Sequence, residues 1–157
     1  MNIVLHLAKH IRDVYFGGNW TAVNLKDTLT DIDWQTATRK VDSLNTILAL
    51  VYHIDYYVTA VNSVLENKLL KAHDKYSFDH PTINSQQDWE TFLEKVWENA
   101  RNLSNLIEQL PENKLWEIFA DKKYGSYCRN IQGLTEHTHY HLGQIVLLKK
   151  LLKDQGN

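Results

Sequence analysis

Chain breakers are scarce in this sequence and spaced so widely that long helices are its natural elements. Two prolines, Pro81 and Pro111, and six glycines among 157 residues leave long uninterrupted stretches. No stretch shows the sustained period-two alternation of a half-buried strand, so a sheet is not expected; four segments repeat apolar residues at helical spacing. The first covers about residues 2–16, with Ile3, Val4, Leu7, Ile11, Val14 and Tyr15 on one face, and stops at Gly17-Gly18. The second runs from about 43 to 67. Its stripe is Leu44, Ile47, Leu50, Val51, Ile54, Val58, Val61 and Leu65, with Asp55, Thr59, Asn62 and Glu66 opposite. The third follows Pro81, with Ser85 as N-cap and Asp88 in an acidic first turn. It carries Trp89, Phe92, Leu93, Val96, Leu103, Leu106 and Ile107 and ends before Pro111. The fourth extends from Gly125 or Ser126 to about Leu152, aligning Tyr127, Ile131, Leu134, Ile145, Leu148 and Leu152.

Three connections join them. Residues 17–42 form a long first connection with Trp20, Trp34 and room for a short helix near 24–29. Residues 68–84 are irregular, and 111–124 hold a turn expected to pack Leu115, Trp116 and Phe119. Four long amphipathic helices with a long first connection predict an all-α four-helix bundle, with residues 1–157 as a single domain.

Composition narrows the function classes. With 43% apolar residues and 11% aromatics the chain can fill a core. Its formal charge is −2 and no basic block stands out, so neither nucleic acid nor an anionic membrane is an expected partner. No run reaches the roughly 18 uninterrupted apolar residues of a membrane span. The N-terminal stretch lacks the apolar core and small-residue cleavage site of a secretion signal. The lone Cys128 fits a reducing compartment. The expected location is cytoplasmic.

Eight histidines carry the chemistry. His137 and His141 stand four apart on the fourth helix, so they share a face and can share a ligand. That face borders the apolar stripe, beside Asn130, Gln144 and Leu148, whereas His139 points nearly the other way. Two hydrogen-bonded histidines at a packed interface would look the same in sequence. His53 on the second helix adds a third imidazole at the border of its stripe, in a strip with Thr46, Ala49, Ala60 and Tyr57. Three histidines converging from two helices suit a catalytic zinc-type site, which keeps one coordination position open.

Competing arrangements fit less well. Thr138 stands where a zinc protease helix needs its glutamate. Glu136 and His139 form one Glu-x-x-His, but a di-iron bundle needs a second such motif and two further glutamates. Cys128 is rotated away from the His137/His141 face and reads as a small buried hydrophobe. His6 and His10 repeat the four-residue spacing on the first helix without an obvious third ligand, and His73 and His80 fall in the irregular stretch, expected to be solvated.

The second-helix run Asn45-Thr-Ile-Leu-Ala-Leu-Val-Tyr-His53-Ile-Asp-Tyr-Tyr and the fourth-helix run His137-Thr-His-Tyr-His141-Leu-Gly-Gln144-Ile resemble the DinB/YfiT-like metalloenzymes. The order and spacing of the helices agree along nearly the whole chain. The resemblance implies a four-helix bundle in which His53, His137 and His141 hold nickel or zinc. It also implies a homodimer, a small-molecule substrate and, in several branches, a low-molecular-weight thiol such as bacillithiol, mycothiol or glutathione. Nothing in the chain selects a branch.

A divalent ion on three neutral imidazoles lowers the pKa of bound water or holds a thiol as its reactive thiolate, which leads to a hydrolase or a thiol S-transferase. Gln144, one turn beyond His141, is a candidate for orienting ligand or water, and Tyr57 for a hydroxyl at the rim. Gln144 also reads as capping a helix contact, and Tyr57 as core packing. Trp20 and Trp34 offer aromatics that could close the pocket mouth. The histidines lack an obvious carboxylate base, which leaves a non-catalytic metal- or ligand-binding bundle as the alternative.

Overall fold

Every long helix begins on a side chain able to satisfy its unpaired amide groups, and those caps fix the boundaries. The computed structural model describes residues 2–154. Asn2 caps α1 (Ile3–Phe16), accepting from the amides of Val4 and Leu5. Asn24 and Asp33 cap two short helices, α2 (Leu25–Leu29) and α3 (Trp34–Thr38). Thr46 accepts from Ala49 N at 3.0 Å and opens α4 (Ile47–Leu65). Ser85 opens α5 (Gln86–Glu108), and Ser126 accepts from Arg129 N to start α6 (Tyr127–Asp154). The chain is all-helical, with no strand among the described residues beyond an isolated bridge between Ile118 and Ser126. No helix among them is long and apolar enough to cross a membrane.

The four long helices pack in a ring, α1 against α5 and α6, and α4 against α5 and α6. Buried Ile11, Val14, Ile54, Val58, Leu103 and Ile131 fill its centre; each such side chain contributes about 1.5–3 kcal/mol of burial. Side-chain pairs give the directions. Arg12 pairs with Glu108 while Phe16 meets Trp97, so α1 and α5 are antiparallel. Asn99 donates to Asp55 and Asn102 to Glu66, so α4 and α5 run the same way. Parallel neighbours cannot be joined by a tight turn. The stretch between α4 and α5 is therefore a crossover that returns along the length of the bundle.

Three expectations change. The second helix starts at Ile47 rather than near 43, leaving Leu44 exposed, because Thr46 caps it and Asp42 before it adopts a positive φ of 47°. Asp55 and Asn62, expected on a solvent face, are buried: α4 has neighbours on two sides, and Asn99 on α5 donates to the Asp55 carboxylate and accepts from Asn62 Nδ2, while Asn62 Oδ1 stays unpaired. In the third connection Leu115 and Phe119 are buried as expected, but Trp116 is 66% exposed, since its short 3-10 turn can face only one side inward.

The first connection is pinned to the bundle. Trp89 Nε1 donates to Ile32 O at 2.8 Å, and Lys149 Nζ donates to Thr28 O at 2.8 Å.

Candidate metal centre

α4 and α6 are antiparallel neighbours, and they bring His53, His137 and His141 together. One ligand nitrogen from each lies within 4.8 Å of the others. The ring centroid of His53 is 4.9 Å from that of His137 and 4.8 Å from that of His141. His141 is buried, and His53 and His137 are partly so.

Each outer nitrogen decides what the inner one can do. His141 Nδ1 lies 2.7 Å from Gln144 Oε1, and His53 Nδ1 lies 3.3 Å from the Ser77 carbonyl oxygen. Both oxygens only accept, so both Nδ1 atoms carry the proton and both Nε2 lone pairs are left to face the cluster. His137 has no such partner. Its Nδ1 is buried without a hydrogen bond, and its Nε2 faces that of His141 at 3.1 Å. Two lone pairs at that distance repel unless a proton or a cation is shared between them. Zinc–nitrogen bonds of about 2.0–2.1 Å at a tetrahedral angle separate two ligand nitrogens by about 3.3 Å. The His137–His141 pair already fits that spacing, and the remaining slack lies on the His53 side.

The electrostatics agree. Burial, then His141 and His53, pushes the His137 pKa down to about 4. Burial, then His141, lowers that of His53, opposed by its bond to Ser77 and by the Asp74 charge. These rings are neutral near pH 7 and available as ligands. The three histidines form a cluster able to hold a metal ion.

The crossover supplies what sequence reasoning missed. Phe78 stacks on His53 with centroids 4.1 Å apart and planes 9° from parallel, on the residue next to Ser77. Asp74 accepts from the Tyr57 hydroxyl at 2.8 Å. A carboxylate therefore does stand beside the histidines, and the expectation that none does is corrected. Tyr57, with its ring 5.1 Å from that of His137, lies at the rim; burial, then Asp74, pushes its phenol up to about 12, so it remains a proton donor. Gln144 lies against the outer nitrogen of His141, which it meets at 2.7 Å. The length of the 67–84 stretch was a usable signal, since helix–helix loops usually span two to eight residues.

No family model, curated protein or solved structure matches the chain. The site itself thus carries the functional argument.

A cavity of about 470 Å³ opens beside His137. Ala60, Val61, Leu70 and Leu134 make apolar wall, and Lys123 and Arg129 contribute positive charge. The crossover and the third connection border it, not the first connection. Trp20 is 98% exposed and borders a different cavity, and Trp34 starts α3, so neither closes this mouth. His73 and His80 are exposed as expected, and Cys128 is a buried free thiol. His139 points away from the cluster toward α1, where it shares that other cavity with His6 and His10. Burial, then His6, lowers the His10 pKa, with a smaller contribution from His139.

Proposed function

We propose that the chain is a metal-dependent enzyme of the DinB/YfiT-like type, acting on a small molecule through a three-histidine site that binds Zn²⁺ or Ni²⁺. The observation that carries this reading is the convergence of three imidazole nitrogens within 4.8 Å, two of them with the outer nitrogen tied to an oxygen acceptor. Ring orientation by an outer hydrogen bond is the usual support of a histidine metal ligand. The antiparallel α4/α6 pair and the placement of the residues also support the resemblance.

An ion held there would lower the pKa of a water or small-molecule thiol that reaches it, which supports either hydrolysis or thiol S-transfer. The chain's own residues supply the rest. Gln144 and Ser77 hold His141 and His53 in the ligating tautomer. The crossover, through Phe78, keeps His53 turned inward and shields one side from water. Asp74 orients the Tyr57 hydroxyl and is the carboxylate within reach of a proton. The cavity beside His137 falls in the size range of small-molecule sites. Its apolar wall suits the body of a substrate, and Lys123 and Arg129 suit an anionic group. A homodimer belongs to the same reading through the family resemblance, and a cytoplasmic location through the unpaired Cys128.

Metal analysis tests the foundation. Purified wild type should carry or take up one ion in this site and His141→Ala should lose it; equal content in both sinks the assignment. Thermal shift with a panel of small thiols then separates the chemistries. A thiol that stabilises only the metal-loaded protein supports transfer, whereas silence across the panel favours hydrolysis or the non-catalytic metal-binding alternative.

A further inference from the structure

The histidines of α6 divide between two sides of the helix. His137 and His141 serve the interior cluster, while His139 turns to α1 and borders a separate cavity of about 520 Å³ with His6 and His10. His6 and His10 are four residues apart on α1, a spacing that places two side chains side by side on one helix face. Their ring centroids are 4.2 Å apart. His139 Nδ1 lies 3.1 Å from the Thr135 carbonyl oxygen. That oxygen accepts the Nδ1 proton, so Nε2 keeps its lone pair. His10 is exposed and His6 partly so, which leaves both rings able to turn.

We propose that His6, His10 and His139 form a second metal site, which takes a borderline divalent transition-metal ion and clips α1 to α6. Two imidazoles one helical turn apart make a chelate on α1, and the third stands on the neighbouring helix across the shared cavity. The set is more open than the interior one, which alone among the described residues has its ligand nitrogens within 4.8 Å of one another, so the site requires the His6 and His10 rings to turn toward His139. Asp13 borders the same cavity and is paired with Lys9, so the carboxylate offsets the nearby ammonium. Imidazole ligation without a thiolate ranks Cu²⁺ above Ni²⁺ and Zn²⁺. The ion binds only the folded arrangement of two helices, so it stabilises the fold by mass action.

The test is titration of tag-free, metal-free protein with Ni²⁺, followed by calorimetry, ion counting and thermal shift. Wild type should take two ions per chain. His10→Asn should take one, keep the interior ion, and lose the thermal shift of the second equivalent; the exposure of His10 leaves the fold intact, which circular dichroism checks. His139→Asn should weaken the second ion at least about tenfold. Two ions retained in His10→Asn overturn the proposal, as does unchanged second-site affinity in His139→Asn, which would reduce the site to a chelate on α1 alone. The two sites fail separately. One ion in wild type that survives in His10→Asn but not in His141→Ala rejects this site and keeps the interior one. One ion that survives in His141→Ala but not in His10→Asn does the reverse, and no ion at all overturns both.

Discussion

The Nε2 atoms of His137 and His141 face each other at 3.1 Å across one turn of α6, and Gln144 fixes the far nitrogen of only one of them. His141 is thereby held in one tautomer and one orientation, while His137 is left to whatever occupies the space between the rings. Gln144→Leu removes the acceptor and frees the His141 ring. Metal affinity should fall about 10- to 100-fold, as for other outer-sphere partners of histidine ligands. Gln144→Glu keeps an acceptor and should retain affinity within a few fold. Calorimetric titration of the three proteins with Zn²⁺ checks this, and equal affinity in Gln144→Leu would remove Gln144 from the site.

Phe78 offers a test of the crossover. It stacks on His53 yet is 40% exposed, so its truncation costs little core burial. Phe78→Ala should lower the melting temperature of the metal-free protein only slightly, while metal affinity drops because His53 loses the surface that holds it inward. A large loss of apo stability with unchanged affinity would make Phe78 a packing residue and nothing more.

The same segment marks where sequence reading stopped. The four helices were legible because Ile3 to Tyr15, Ile47 to Leu65, Trp89 to Ile107 and Tyr127 to Leu152 repeat at helical spacing, and helical phase alone separated His139 from His137 and His141. Asp74, Ser77 and Phe78 were not legible. They lie in a stretch with no periodicity, and what they touch depends on α4 and α5 running parallel, which no local pattern encodes. The burial of Asp55 has the same origin. A stripe on one helix tells which side is apolar, but not that a second neighbour will cover the polar side and bring an asparagine to meet it.

Trp89 ties the first connection to α5 through its indole. It is fully buried, and its Nε1 donates to Ile32 O at 2.8 Å. Trp89→Phe keeps most of the apolar surface but leaves that carbonyl without its donor. Unfolding in urea should show a loss of about 1–3 kcal/mol, the range for an unsatisfied buried polar group. Metal binding should be unchanged, since neither residue borders the histidine cluster.

Two groups, the partly buried His137 and the buried Asp55, give the metal-free protein opposing pH dependences over nearly the same window. His137 has its pKa lowered from 6.5 to about 4 by burial and the neighbouring imidazoles. Between those values the unfolded chain takes up a proton that the folded chain refuses, so this group makes stability fall as pH drops from about 6.5 to 4. Asp55 has its pKa raised from 3.8 to about 6 by burial, against the pull of Asn99. Between 3.8 and 6 the folded chain holds a proton that the unfolded chain has lost, so this group makes stability fall as pH rises. In wild type the slopes partly cancel. Asp55→Asn removes the second and should steepen the acid loss of stability, whereas His137→Gln removes the first and should make that loss shallower than in wild type, with His53 and His10, also lowered by burial, still contributing to it. Urea midpoints measured across pH 4 to 7 on the metal-free variants read both signs. Parallel slopes in the two variants would show that neither group titrates as its surroundings dictate. Saturating Zn²⁺ should add a further stabilisation that disappears on acidification, because protons compete for the same imidazole lone pairs.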